Sequence, residues 1–194
     1  MIRRLVHWSL VKAGHPRAPL WLGTLSFAES SVFPVPPDVL MAPMALARPR
    51  KAWYFAALTT VTSVLGGLVG YLIGALLYQA VAEPLLAFYG AREEYARVVE
   101  WFGAYGGWAV FLAGLTPIPY KVFTIGAGSL QMPLLPFVVG SLAGRGLRFF
   151  VLAGIIRVGG ERLYQQVERW SPAVFWTGLA ALAGLVLYSF YSGG

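Results

Sequence analysis

The chain has no cysteine, so it has no disulfide framework, no thiolate metal site and no cysteine nucleophile. Histidine is almost as scarce: only His7 and His15 occur, both near the start. General acid–base catalysis uses histidine most often, so an enzyme site deeper in the chain would have to work without it. No glycine-rich phosphate loop with its lysine appears, and no metal-ligand spacing. Neither a catalytic set, a metal nor a cofactor is therefore expected. Charge is also thin. Asp, Glu, Lys and Arg make up 12% of the 194 residues, against about 25% in a soluble domain. What fills the space is apolar: 58% of residues are hydrophobic, and the mean hydropathy is +0.66. This is the composition of a single integral membrane domain, residues 1–194. The formal charge of +7 would suggest nucleic acid in a soluble chain. In a membrane chain the basic residues sit in loops and set orientation, so the partner is the bilayer and no nucleic acid is expected.

The apolar run from Ala18 to Ala47 is interrupted by Glu29, Pro34, Pro36, Pro37 and Asp38. An ionisable group near the bilayer centre costs several kcal/mol, roughly 2.5 to 3.5 on insertion scales. Proline lacks the backbone N–H and opposes continued helix. Each half of the run would be only about 15 to 25 Å long at 1.5 Å per residue, short of a hydrocarbon core of about 30 Å. The pattern predicts a re-entrant hairpin with a proline tip. Broken backbone at that depth must face protein or a water-filled cavity, and Glu29 and Asp38 are expected to face it.

Arg3, Arg4, Lys12 and Arg17 precede this hairpin, and Arg48, Arg50 and Lys51 follow it. Basic clusters at both ends place both on the cytoplasmic side. Residues 1–17 read as a retained interfacial helix and 18–79 as a first unit. That unit ends in a crossing helix from about Ala52 to Tyr78, whose Gly66, Gly70 and Gly74 form a small-residue ridge for helix packing. Residues 80–106 read as an external interfacial segment with Val98, Trp101, Phe102 and Tyr105 at helical spacing. Residues 107–158 read as a second unit, broken at Thr116-Pro117-Ile118-Pro119-Tyr120-Lys121 and continued by a crossing helix from Leu134 to about Ile156. Residues 159–194 supply a basic loop and a last crossing helix from about Ala173 to Tyr191.

Pro34-Val35-Pro36-Pro37-Asp38-Val39 aligns without a gap on Pro117-Ile118-Pro119-Tyr120-Lys121-Val122. One crossing separates the copies, so they would enter from opposite faces. The expected fold is all-α and polytopic: two opposed re-entrant hairpins in an inverted repeat, about three crossing helices, and interfacial amphipathic helices. Broken helices at matching positions of inverted halves point to a midplane binding site. Five ionisable residues fall at that depth: Glu29, Asp38, Lys121, Arg145 and Arg148. Arg145 and Arg148 share a helix face. The matched tips carry opposite charges, so Asp38 and Lys121 are expected to pair if the tips meet. Three cations against two carboxylates leave one positive charge for an anionic head group, and arginine's fork suits phosphate. The carboxylates could instead be held protonated by burial and exchange a proton during transport. A buried ion network that only holds the hairpins together is the competing structural reading.

The combination Phe-x-Glu, Pro-x-Pro-Pro-Asp, a Gly-rich helix, Pro-x-Pro and Gly-Arg-x-x-Arg resembles the DedA family of bacterial membrane proteins, in its YqaA-like branch, part of the VTT-domain superfamily of lipid scramblases. The resemblance runs from about Trp21 to Ile156. It implies flipping of a lipid phosphate, above all undecaprenyl phosphate, in the bacterial cytoplasmic membrane. It maps the family's two acidic positions onto Glu29 and Asp38. The family's paired basic positions usually lie on an Arg-x-x-Pro-x-x-Arg hairpin. Here Gly114 to Lys121 contains no arginine, leaving Lys121, Arg145 and Arg148 to hold the head group. The competing transport reading is a small-ion or small-anion carrier using the same cavity. A homo-oligomer is left open.

The topology is directly testable on a cysteine-free chain. Arg17→Cys and Arg50→Cys should label from the cytoplasmic side, and Glu93→Cys from outside. Labelling of Arg17→Cys and Arg50→Cys from opposite sides would mean that the first segment crosses and is no hairpin.

Overall fold

The computed structural model describes residues 17–31, 35–82, 92–116, 120–160 and 162. Among these, every regular element is helical. The helices are α1 (Ala18–Ser31), α2 (Asp38–Ala47), α3 (Ala52–Leu77), α4 (Arg92–Leu115), α5 (Tyr120–Ser129) and α6 (Leu134–Gly160). Pro49–Lys51 forms a single 3-10 turn before α3, and Tyr78–Ala82 a π-helical turn after it. The expected N-terminal interfacial helix, apart from Arg17, and the last crossing helix lie outside the described residues, as do Pro34, Pro117 and Pro119.

Length separates the helices into two kinds. α3 has 26 residues and α6 has 27, about 39 to 40 Å each at 1.5 Å per residue. Both are long and apolar enough to cross a membrane. α2 and α5 have 10 residues each, about 15 Å. The prolines account for the first break: Pro36 lies outside any helix, and Pro37 takes the N-cap position of α2.

Contacts between helices fix their directions. α1 runs beside α3 in the same sense. Ser26 Oγ donates to the Thr59 carbonyl, Ser30 Oγ lies 2.7 Å from Ser63 Oγ, and Ser31 Oγ donates to the Gly66 carbonyl. α2 then brings the chain back. Its Met41, Ala42, Met44 and Ala45 share a buried cluster with Ala18 and Leu22 at the start of α1, and with Ala52, Phe55 and Ala56 at the start of α3. Two later helices also lie side by side in the same sense. α4 runs with α6, Gly107 meeting Gly140 and Phe111 meeting Gly144 through their backbones. α3 and α6 run in opposite senses: Trp53 stacks on Phe150 at 5.7 Å, while Thr60, further along α3, faces Gly146, earlier in α6.

The short second limbs bind the halves together. α2 packs on Phe149, Ala153 and Ile156 of α6. α5 packs on α3, where a Cβ on Gly74 would strike the Ile125 carbonyl and one on Gly128 the Tyr71 carbonyl. The ridge of Gly66, Gly70 and Gly74 is thus a packing surface, as its spacing predicts. A second buried cluster joins Val110 and Ala113 of α4, Tyr120 and Ala127 of α5, Met132, and Phe137 of α6.

One expected boundary falls inside an element. The division between an interfacial segment ending at 106 and a second unit starting at 107 cuts α4, which is continuous from Arg92 to Leu115. Gly103, Gly106 and Gly107 weaken a helix by about 1 kcal/mol each without ending it. The close contact between Gly107 and Gly140 requires the glycine at 140, where a Cβ would strike the Gly107 carbonyl.

Two glycines on α5 make a controlled pair. A Cβ at Gly128 meets backbone, whereas at Gly126 nothing described lies within 4 Å. Gly128→Ala should destabilise by about 1 to 3 kcal/mol through overpacking. Gly126→Ala should be neutral or stabilising by up to about 1 kcal/mol. Thermal unfolding of both variants in detergent checks this; equal losses would contradict the packing described.

Candidate functional site

An ionised side chain in an apolar bundle needs a partner of opposite charge and hydrogen bonds for its remaining valences. Four of the five ionisable residues singled out in the sequence find their charge partners in one another. Glu29 comes from the end of α1, Asp38 is the first residue of α2, and Arg145 and Arg148 lie three apart near the middle of α6.

Arg145 is the deepest, with 3% of its side chain exposed. Its Nη2 donates to Glu29 Oε2 at 2.7 Å and to Ser30 Oγ at 3.2 Å. Ser30 Oγ also donates to Glu29 Oε2 at 3.0 Å and meets Ser63 Oγ of α3. The guanidinium carbon lies 4.3 Å from the Tyr120 ring centroid and 5.7 Å from that of Phe149. Both distances fall within cation–π range. Tyr120 itself is buried and donates its hydroxyl proton to Ser141 Oγ.

Arg148 is more open, at 24%. Its Nη2 donates to Asp38 Oδ2, and its Nη1 donates to the Thr116 carbonyl at 3.0 Å. Thr116 directly follows α4. One guanidinium therefore bridges the two places where the helices break.

Both ion pairs are single-point contacts, although arginine and carboxylate can engage through two parallel hydrogen bonds. Two buried atoms, Asp38 Oδ1 and Arg145 Nε, have no hydrogen-bond partner among the described residues. A donor and an acceptor at the same site thus retain unmet capacity: a water or an oxyanion can accept from Arg145 Nε, and a water can donate to Asp38 Oδ1.

The expected pairing of Asp38 with Lys121 is not found: Asp38 pairs with Arg148. The half-buried Lys121 has no ion-pair partner among the described residues. The aligned positions keep the same depth: Pro37 and Tyr120 are both buried, and Asp38 and Lys121 are both half-buried. Asp38 takes its cation from α6, as Arg148, and not from the matching tip. On α5 it is the buried Tyr120, next to Lys121, that meets Arg145. Sequence reasoning missed Tyr120, Thr116 and Ser63. Ser63 did leave a signal: Thr59, Ser63, Gly66, Gly70 and Gly74 form a polar and small stripe at helical spacing in an apolar helix. A broken-helix carbonyl such as that of Thr116 leaves none.

The VTT domain matches residues 35–158. The chain belongs to the VTT-domain, or DedA, family. The match includes Asp38, Lys121, Arg145 and Arg148, while Glu29 lies just before it. This VTT-domain protein is 37% identical over 189 residues to an uncharacterized protein of Haemophilus influenzae, covering 96% of each chain. It is 32% identical over 176 residues to one of Histophilus somni, covering 91% of each. It is also similar to undecaprenyl phosphate transporter A of Staphylococcus aureus, at 30% identity over 107 residues, 53% of this chain and 51% of that one. No solved structure matches it.

The ion pairs make stability testable apart from function. Arg145→Leu strands Glu29 and should destabilise by about 3 to 5 kcal/mol. Adding Glu29→Leu should recover much of that loss. Lys121→Met, which breaks no ion pair, should change stability by less than about 1 kcal/mol. Thermal unfolding of the three variants in detergent decides; a large loss for Lys121→Met would restore the Asp38–Lys121 pairing.

Proposed function

We propose that this protein moves a lipid phosphate, such as undecaprenyl phosphate or a phospholipid, between the leaflets of the bacterial cytoplasmic membrane, with its N-terminus in the cytoplasm. On this reading α3 and α6 cross the bilayer. The α1–α2 and α4–α5 pairs are then re-entrant hairpins. They enter from opposite faces, because α1 runs with α3, α4 runs with α6, and α3 and α6 are antiparallel. The two halves form an inverted repeat around a midplane site.

One observation carries the reading: two single-point arginine–carboxylate pairs lie at the broken helices, near the middle of both long helices. Buried pairs are weak evidence for stability, since desolvation offsets much of the Coulomb gain, and three of these four residues keep partial exposure. An anionic head group fits a place where guanidinium groups already hold exchangeable oxyanions. The pairs cancel in charge, and Lys121 adds one positive charge. Protonation of a released carboxylate would keep the site near neutrality as the anion binds, which is the physical basis for proton coupling. The name of the Staphylococcus aureus relative agrees with a lipid-phosphate substrate.

Reconstitution into vesicles with labelled undecaprenyl phosphate, with and without a pH gradient, tests the proposal. Wild-type protein should accelerate translocation. Glu29→Gln and Asp38→Asn should insert normally and transport at least about tenfold more slowly, the order expected for losing one charge-assisted hydrogen bond. Ion flux without lipid movement would favour the small-anion carrier. Full transport by both variants would reduce the carboxylates to packing elements.

A further inference from the structure

The two arginines occupy different environments, and the difference assigns them different work. Arg145 is closed in on every side that the structure describes. Its Nη2 serves Glu29 and Ser30, and its plane lies against Tyr120 and Phe149. Its carboxylate partner is tied to Ser30, which is tied to Ser63 in the middle of α3. Moving Arg145 off Glu29 would break its hydrogen bonds to both Glu29 and Ser30, in a place where 3% of the side chain reaches the surface. Arg148 has eight times that exposure, 24% against 3%. Its two terminal nitrogens are split between two separate acceptors, one carboxylate oxygen of Asp38 and the backbone carbonyl of Thr116.

The two terminal nitrogens that hold these separate acceptors are the pair that a single oxyanion would engage in a bidentate complex. Both acceptors belong to chain breaks, not to helix interiors: Asp38 opens α2 and Thr116 follows the end of α4. Neither is held there by a second side chain among the described residues. Asp38 Oδ1 has no hydrogen-bond partner among the described residues.

We propose that Arg148 is the ligand-exchanging arginine, releasing Asp38 and the Thr116 carbonyl to grip two oxygens of a phosphate monoester, while Arg145 stays on Glu29 as a positioning residue. This rests on the transport reading above and deepens it. Asp38 is then the competitor that the incoming oxyanion displaces. Since Arg148 joins the two breaks, its transfer to ligand also frees the end of α4 from the start of α2, linking head-group capture to release of both hairpins. Glu29 has no such part: its arginine is not exchanged.

The opposite expectations for the two carboxylates give the test. Full-length protein in detergent micelles is titrated with undecaprenyl phosphate, and separately with inorganic phosphate, by intrinsic tryptophan fluorescence. Asp38→Asn removes the competing charge and should tighten binding threefold or more, even though transport falls. Glu29→Gln should leave affinity within twofold of wild type. Arg148→Lys should weaken binding about tenfold, and Arg145→Lys less than threefold. Should Arg145→Lys fail to fold, the contrast between Asp38→Asn and Glu29→Gln still decides. Tightening seen only with undecaprenyl phosphate places the oxyanion on a lipid; tightening with both probes places recognition in the phosphate group alone. A wild-type protein that binds neither probe overturns the transport reading and this one with it. A wild type that binds, with Asp38→Asn no tighter, overturns the exchange alone. So does an Arg145→Lys loss as large as that of Arg148→Lys.

Discussion

The buried contact between Arg145 and Glu29 is the constraint around which the rest is arranged. A guanidinium almost wholly out of contact with solvent must be matched in charge and hydrogen-bonded. Glu29 answers the charge, Ser30 bonds both the carboxylate and the guanidinium, and Ser63 holds the Ser30 hydroxyl in place. Those partners sit on α1, α3 and α6, so satisfying one charge fixes three helices at one level. Tyr120 brings in a fourth, α5, because its ring faces the guanidinium while its hydroxyl reaches Ser141. The site is therefore also the point at which the two halves are registered against each other.

That registration explains why the short helices cross over. α2 cannot bury its Met41, Ala42, Met44 and Ala45 on α3 alone, and it closes a cluster with Phe149, Ala153 and Ile156 of the other half. α5 does the reciprocal thing on the glycine face of α3. Neither half has a complete core without the other's second limb. The helices break where the charges lie, and the two facts support each other. A break exposes backbone groups that need polar partners, and buried arginines need acceptors. Thr116 and Arg148 satisfy each other on this basis.

Much of this was legible in the sequence because membrane burial makes polar residues conspicuous. Glu29, Asp38, Arg145 and Arg148 stand out in apolar segments, and all four meet. The ends of α3 and α6 follow from apolar length and flanking basic residues, and the first break from three prolines. What the sequence did not reveal was the partner of Asp38. The alignment that sets Asp38 on Lys121 holds in depth, both residues being half-buried, but the carboxylate pairs with Arg148 of α6 and not with the aligned cation. Likewise, the boundary read between 106 and 107 falls inside one continuous helix, where Gly140 of α6 lets the Gly107 carbonyl come close. Tyr120 was hidden for a different reason. An aromatic residue in an apolar chain carries no mark that distinguishes a ring on a guanidinium from a ring in a core.

The kinds of contact also divide the molecule mechanically. α1 with α3, α3 with α5, and α4 with α6 touch backbone to backbone through glycine, where a shift of a few tenths of an ångström meets hard repulsion. α3 and α6 meet instead through side chains: Trp53 on Phe150, Thr60 beside Gly146, and the Glu29–Arg145 pair reaching across from α1. Side-chain contacts can rearrange among rotamers, and ion pairs can change partners, without unpacking a helix. Relative movement of the helix pairs is therefore cheapest along the boundary on which the charges sit. The Asp38–Arg148 contact joins α2 to α6, so exchange of that pair would loosen α2 from α6 without parting any of these glycine contacts.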